Sequence, residues 1–79
     1  MKADYVIYTA SDPDACQLER VLEDKGFITA PSPPDAAMVL VVEADTKRLP
    51  RVVRDIVKKE GITYWKLSRV GKAYKVGGT

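Results

Sequence analysis

Residues 36–43 (AAMVLVVE) form the most apolar run in the chain, and this run constrains the fold more than any other feature. It is too short for a membrane-spanning helix, which needs about 20 apolar residues. A strand that is covered on both faces has a continuous apolar and β-branched sequence, whereas a half-exposed strand alternates apolar with polar residues. The run therefore predicts a buried strand in the middle of a sheet.

The length and composition of the chain limit the classes of protein to which it can belong. Its 79 residues suffice for one domain with one small core. A content of 46% hydrophobic and 30% charged residues is typical of a globular domain. Asp4 lies near the N-terminus and the apolar run after it is too short for a signal peptide, so we expect a cytoplasmic protein that contacts no membrane.

Apolar runs and helical patterns alternate along the rest of the chain. One face of each predicted helix is apolar at a period of 3.6 residues, and the other face is charged. We treat residues 1–79 as a single domain whose last part, residues 69–79, forms a C-terminal arm or tail. The predicted order is a strand at residues 5–9, a helix at about 12–25, a strand at 27–30, the central strand, a helix at 49–60 and a strand at 63–67.

The ends of both predicted helices carry recognisable capping residues. Ser11 or Asp12 is expected to cap the first helix, and the second is expected to start at Asp45 and Thr46. Gly26 and Gly61 are expected to end the helices, because glycine adopts the left-handed conformation of a helix C-terminus at little steric cost.

Superposing Gly26 on Gly61 reveals an internal repeat with an offset of 35 residues. The offset pairs similar residues throughout: Ser11 with Thr46, Leu18 with Val53, Val21 with Ile56, Leu22 with Val57, Phe27 with Ile62, and residues 5–7 with residues 40–42. Two interlocked strand-helix-strand units predict an α+β fold, the ferredoxin-like β-α-β-β-α-β two-layer sandwich, with strand order four, one, three, two. An extra C-terminal hairpin strand would extend it. The alternative is a small three-stranded parallel α/β layer in which residues 27–35 form a loop.

The first half of the chain resembles two groups of small prokaryotic domains. The residues that carry the resemblance are Thr9, Ser11, Asp14, Ala15, Leu22, Gly26, Pro31, Ser32 and Pro33. In these positions the chain is similar to selenium/sulfur-carrier-like domains and to short signal-transducing domains, over about residues 5–68. The resemblance implies the same β-α-β-β-α-β layout. The carrier-like domains have a cysteine and a glycine in the loop before the third strand, where this chain has residues 34–37 (PDAA), so no carrier residue is transferred.

Charge is distributed unevenly along the chain. Up to Thr46 there are three basic and nine acidic residues, a balance of −6, and beyond it there are ten basic and two acidic residues, a balance of +8. Such a split indicates either an anionic partner for the second half or contacts between copies of the chain. Two solvated helix faces of opposite sign would give the same pattern.

Bases and aromatic residues interleave in the second half, a pattern that is typical of surfaces that bind single-stranded nucleic acid. Nucleic-acid binding is therefore one functional hypothesis. Against it, alternation in a strand would turn the aromatic residues to the core and the lysines to water. The predicted nucleic-acid-binding residues are Lys47, Arg48, Arg51, Arg54, Lys58, Lys59, Tyr64, Trp65, Lys66, Arg69, Lys72, Tyr74 and Lys75.

The main functional hypothesis is a non-catalytic binding or regulatory module. A sheet with helices on one face exposes apolar residues on its other face, and such a patch marks an interface. We expect self-association, or a protein partner, through the open face or an edge strand, with Tyr5, Ile7, Val39 and Val41 at the interface.

Enzymatic chemistry finds little support in the sequence, and we expect neither catalysis nor a cofactor. With one cysteine and no histidine, an internal disulfide, a zinc site of the usual Cys/His type and histidine acid–base catalysis are excluded. Cys16 is predicted to be a small, partly buried structural residue, because the nearby acids Asp12 and Asp14 oppose a thiolate. Asp12, Asp14, Glu43 and Asp45 lie near the ends of strands and could chelate a divalent ion, but two of them are better explained as helix caps. A metal site needs more fixed ligands than the sequence places there, so we expect none.

Overall fold

The computed structural model describes residues 1–33, 36–62 and 65–70. The elements follow one another in the predicted order and are β1 (Lys2–Thr9), α1 (Asp12–Asp24), β2 (Ile28–Ala30), β3 (Met38–Asp45), α2 (Arg48–Glu60) and β4 (Trp65–Val70). The strand β4 includes Arg69 and Val70, which the sequence assigned to the C-terminal arm. The rest of that arm lies outside the described residues.

The four strands form one sheet in the order β2-β3-β1-β4, and each pair of neighbours is antiparallel. Read from the other edge, the order is β4-β1-β3-β2. The fold is therefore of the α+β class, and the alternative of a three-stranded parallel layer is wrong. Residues 28–30 pair with β3 instead of forming a loop. Pro31 limits β2 to three residues at the edge, because proline has no N–H group for a strand ladder.

The helix α1 begins and ends at the predicted residues. The Ser11 hydroxyl accepts a hydrogen bond from the backbone N–H of Asp14 at 3.4 Å, so Ser11 is the N-terminal cap. At the other end Gly26 has a φ of +94°, and the N–H of Phe27 donates to the carbonyl of Leu22 at 3.1 Å. This closing geometry satisfies helix carbonyls that would otherwise lack a partner.

The helix α2 ends in the same way but begins differently. Gly61 has a φ of +72°, and the N–H of Ile62 donates to the carbonyl of Val57 at 3.1 Å. At the start, the capping carboxylate belongs to Asp45, one of the two residues at which the sequence predicted the helix to start, and not to Thr46, which the repeat pairs with Ser11. Neither helix of the described chain is long and apolar enough to cross a membrane.

The core lies between the helices and one face of the sheet. The strands contribute alternate residues, and each helix contributes its apolar stripe, as the 3.6-residue period predicted. The side chains with no more than 1% exposure are Ile7, Leu18, Leu22, Val39, Val41, Leu49 and Val53. Tyr5, Ala15, Phe27, Ala44, Ile56 and Ile62 complete this cluster.

A bulge in β3 breaks the alternation of its side chains. Tyr5 pairs with Val41 and Ala3 pairs with Ala44, so two residues of β3 lie opposite Asp4. One of them, Glu43, has a φ of +50°, and its N–H donates to the Asp4 carboxylate at 2.9 Å. The extra residue returns Ala44 to the covered face, where it is buried.

The bulge yields a prediction for stability. A non-glycine residue in the left-handed region is strained, so Glu43→Gly should be more stable than Glu43→Ala by about 1 kcal/mol. Glu43→Ala is the matched control, because it removes the same carboxylate and keeps the strain. Urea unfolding of both variants measures the difference. Equal unfolding midpoints for the two would show that the backbone at position 43 is not strained.

Candidate functional site

The face of the sheet opposite the helices is largely apolar. Alternation along the paired strands places seven apolar residues of β1, β2 and β3 on it, and we call this set the open sheet face. Ile28 is 61% exposed and Tyr8 is 40% exposed, and the other members are half-buried. The members are Val6, Tyr8, Ile28, Ala30, Met38, Leu40 and Val42.

The four residues that the sequence assigned to an interface lie on the covered face instead. Tyr5 is 5% exposed, Ile7 and Val41 are 0% exposed, and Val39 is 1% exposed. They pack against the helices, so the prediction that they form an interface is wrong. Their neighbours in the strands lie on the open sheet face and are Val6, Tyr8, Leu40 and Val42. The polar residues Lys2 and Asp4 give the correct assignment, because alternation along β1 places them on the same side of the strand as Val6 and Tyr8.

The central strand is also less covered than predicted. Its continuous apolar run suggested helices on both faces, but α1 and α2 pack on one face only. Leu40 and Val42 are therefore apolar side chains beneath no helix. Polar residues occur on this face toward β4, where Lys66 pairs with Tyr8 and Ser68 pairs with Val6.

The second candidate surface is the solvent side of α2. Lys47, Arg51, Arg54 and Lys58 are spaced by four, three and four residues, which places them in one row along the helix, and all are exposed. We call this row the basic stripe. No ion pair within the described ranges engages it, since the one found there joins the Met1 ammonium to Asp45 at 3.9 Å.

The other predicted nucleic-acid-binding residues are divided among several surfaces. The Arg48 guanidinium donates to the carbonyl of Lys25 at 3.1 Å and lies 4.7 Å from the centre of the Phe27 ring, which directs Arg48 toward α1. Lys66 is on the side of the sheet away from α2, and Arg69 pairs with Tyr5 on the helix side. Lys59 is exposed on α2. Tyr64, Lys72, Tyr74, Lys75 and the side chain of Trp65 lie outside the described residues.

The side chain of Asp45 caps the start of α2. One oxygen of its carboxylate accepts hydrogen bonds from the backbone N–H groups of Arg48 at 2.7 Å and Lys47 at 3.1 Å. The bond from Arg48 is the main cause of a lowered pKa for this carboxyl group, with smaller contributions from Lys47 and the N-terminal ammonium. The ionised form is favoured because it alone accepts all of these bonds.

The lowered pKa of Asp45 predicts a pH effect on the start of α2. A pKa below the unfolded value stabilises the fold above the ordinary aspartate pKa of about 4, and this stabilisation is lost as the pH falls through the folded value. The stability of Asp45→Asn should therefore fall less than that of the unmodified chain as the pH is lowered. Circular dichroism during acid titration tests this, with Asp24→Asn as control, and identical acid transitions would contradict it.

Cys16 is exposed, not partly buried as the sequence suggested. It belongs to the solvent row of α1, and it lines a surface cleft together with Asp12, Glu19 and Ser32. The charged side chains that line this cleft among the described residues are the acids Asp12 and Glu19, whereas reactive cysteines lie in electropositive surroundings. The cleft gives no support to nucleophilic chemistry at this cysteine.

The acidic residues that the sequence weighed as metal ligands have separate structural roles. Asp12 accepts the N–H of Ala37 at 3.0 Å, and Asp45 caps α2. In the part of the chain that the structure describes, no three acidic or cysteine side chains come together to hold a metal ion.

Comparisons with known proteins found no relative. A scan of protein-family models gave no match, and neither the curated proteins nor the solved structures contain a significant one. The resemblance to carrier-like and signal-transducing domains stays a prediction, and the function has to be argued from the open sheet face and the basic stripe.

Proposed function

We propose that this chain is a non-catalytic binding module with a ferredoxin-like fold that associates with a second copy through the open sheet face. The β4-β1-β3-β2 strand order, with α1 and α2 on one face, supports the ferredoxin-like assignment. The observation that carries the functional proposal is the apolar character of the open sheet face.

Water contact at this face is energetically unfavourable. Burying an aliphatic side chain such as Ile28 contributes about 1.5–3 kcal/mol relative to leaving it exposed. Ile28 pairs with Val42, and Val6 pairs with Leu40, so the apolar side chains are contiguous across three strands. A contiguous apolar patch of this kind is typical of interaction sites and is rare on isolated domains.

A second copy fits this face better than an edge-strand contact does. In a two-fold dimer the same surface patch of each copy contacts the other. The apolar centres of the two open sheet faces then pack against each other, and the polar residues Lys66 and Ser68 lie at the rim of the interface. The edge strand β2 is only three residues long and is followed by Pro31, which makes it a poor template for a further strand.

Ile28→Lys tests the sheet-face contact. Ile28 is exposed, so the substitution should leave the fold intact while placing a charge within the dimer contact, and dimerisation should weaken at least tenfold, by about 1.4 kcal/mol. Ala10→Lys, at an exposed position after β1, adds the same charge elsewhere and should leave dimerisation unchanged. Sedimentation equilibrium at micromolar concentration measures both. A monomeric wild-type chain would refute the proposal.

Nucleic-acid binding is the second candidate, and the row of exposed cations in the basic stripe favours it. Filter binding with mixed single-stranded RNA and DNA should then show an affinity that falls steeply with salt. Arg51→Ala combined with Arg54→Ala should reduce the slope of log affinity against log salt by about 1.4, because each phosphate contact with a single strand contributes about 0.7. Arg20→Ala combined with Lys25→Ala removes two exposed cations elsewhere and is the charge-matched control, and absence of binding at low salt would exclude this function.

A further inference from the structure

The helix α1 carries an acidic counterpart of the basic stripe. Its solvent row consists of Asp12, Cys16, Glu19 and Glu23, with the same spacing of four, three and four residues. Three of these four positions are carboxylates, and we call the row the acidic stripe. Each member lies 35 residues before a member of the basic stripe, so the internal repeat places opposite charges at three of the four equivalent positions on the two helices.

The acidic stripe lies along the flank of the molecule formed by β2. The Thr29 hydroxyl contacts Glu23 at 2.5 Å and Glu19 at 3.4 Å, and the Asp12 carboxylate accepts the N–H of Ala37. Asp12 and Glu23 are exposed and Glu19 is half-buried. The contacts with Thr29 and Ala37 fix the carboxylates on this flank without neutralising them.

Helix stability accounts for Asp12 in the first turn of α1 and Lys58 in the last turn of α2, but not for the charges at the other ends of the two stripes. The positive end of a helix dipole favours acids and the negative end favours bases. The first turn of α2 nevertheless contains no acid, and the last turn of α1 contains no base. Lys47 and Glu23 therefore each lie at the helix end where a charge of the opposite sign would be more stable. This arrangement points to an interaction outside the helix itself.

We infer that the basic stripe of one copy binds the acidic stripe of a second copy. Both stripes extend over 12 residues, or about 16 Å of helix at 1.5 Å per residue, so their lengths match. A nucleic acid would account for the basic stripe alone, whereas a second copy accounts for both stripes. This contact is separate from the open sheet face and does not depend on it.

The contact is heterologous, because the two stripes are different surfaces of the same chain. Each copy then presents one stripe to each of two neighbours, and the assembly grows beyond a dimer or closes into a ring. Charged side chains that remain near water are screened by salt, with a Debye length of about 10 Å at 0.1 M and about 3 Å at 1 M. The stripe contact is therefore salt-sensitive, unlike an apolar sheet-face contact.

A charge-swap experiment tests the contact. Arg51→Glu with Arg54→Glu abolishes the net positive charge of the basic stripe and leaves the acidic stripe intact. Cys16→Lys with Glu19→Lys abolishes the net negative charge of the acidic stripe and leaves the basic stripe intact, while Glu23 keeps its bond to Thr29. In sedimentation velocity at low salt, each double variant alone should lose the salt-sensitive association. An equimolar mixture of the two should recover it as a mixed complex that about 0.5 M salt dissociates at least tenfold. Circular dichroism and thermal unfolding check that each variant is folded.

The outcomes separate this contact from the sheet-face proposal and from nucleic-acid binding. Ile28→Lys should leave the salt-sensitive association intact, so either contact can fail without the other. If folded variants fail to form the mixed complex, the stripe contact is refuted. It is equally refuted if Arg51→Glu with Arg54→Glu abolishes RNA binding while self-association at low salt is the same for all variants.

Discussion

The packing of both helices on one face of an antiparallel sheet is the constraint on which the remaining surfaces depend. Ile7 and Val41 from the two central strands meet Leu18 and Val53 from the two helices, and all four are fully buried. Since two helices of 13 residues cover only one side, the apolar side chains of β1 and β3 that point the other way have no helical cover. The fold needs β1 and β3 to be apolar on the face that the helices cover, and in this chain the two strands are also apolar on the face that α1 and α2 leave uncovered.

The sequence predicted the order and type of the elements because their signals are local. Ser11, Gly26 and Gly61 each mark a helix end through backbone geometry that few other residues provide. The face of each strand was not predicted correctly, since Val39, Leu40, Val41 and Val42 are all apolar and alternation carries no information in such a run. Only polar residues in the same strand, such as Asp4 in β1, reveal which set of alternate side chains points away from the helices.

The bulge in β3 also explains why the internal repeat misaligns the two central strands. An extra residue at Glu43 means that a constant offset of 35 residues cannot align both the helices and the strands of the two repeats. The offset therefore pairs buried Tyr5 with half-buried Leu40, although Tyr5 and Leu40 lie on opposite faces of the sheet. No residue at this position signals a bulge, because glycine is the usual marker and Glu43 adopts the left-handed conformation instead.

Asp45 connects the stability of α2 to the basic stripe. The first turn of α2 carries Arg48 and Arg51 and no acid, so its cations lie at the positive end of the helix dipole and the compensating anion has to come from outside the turn. Asp45, the last residue of β3, provides that carboxylate and also lies 3.9 Å from the N-terminal ammonium of Met1. The strand that lies at the centre of the sheet therefore also makes a cationic surface on α2 compatible with a stable helix.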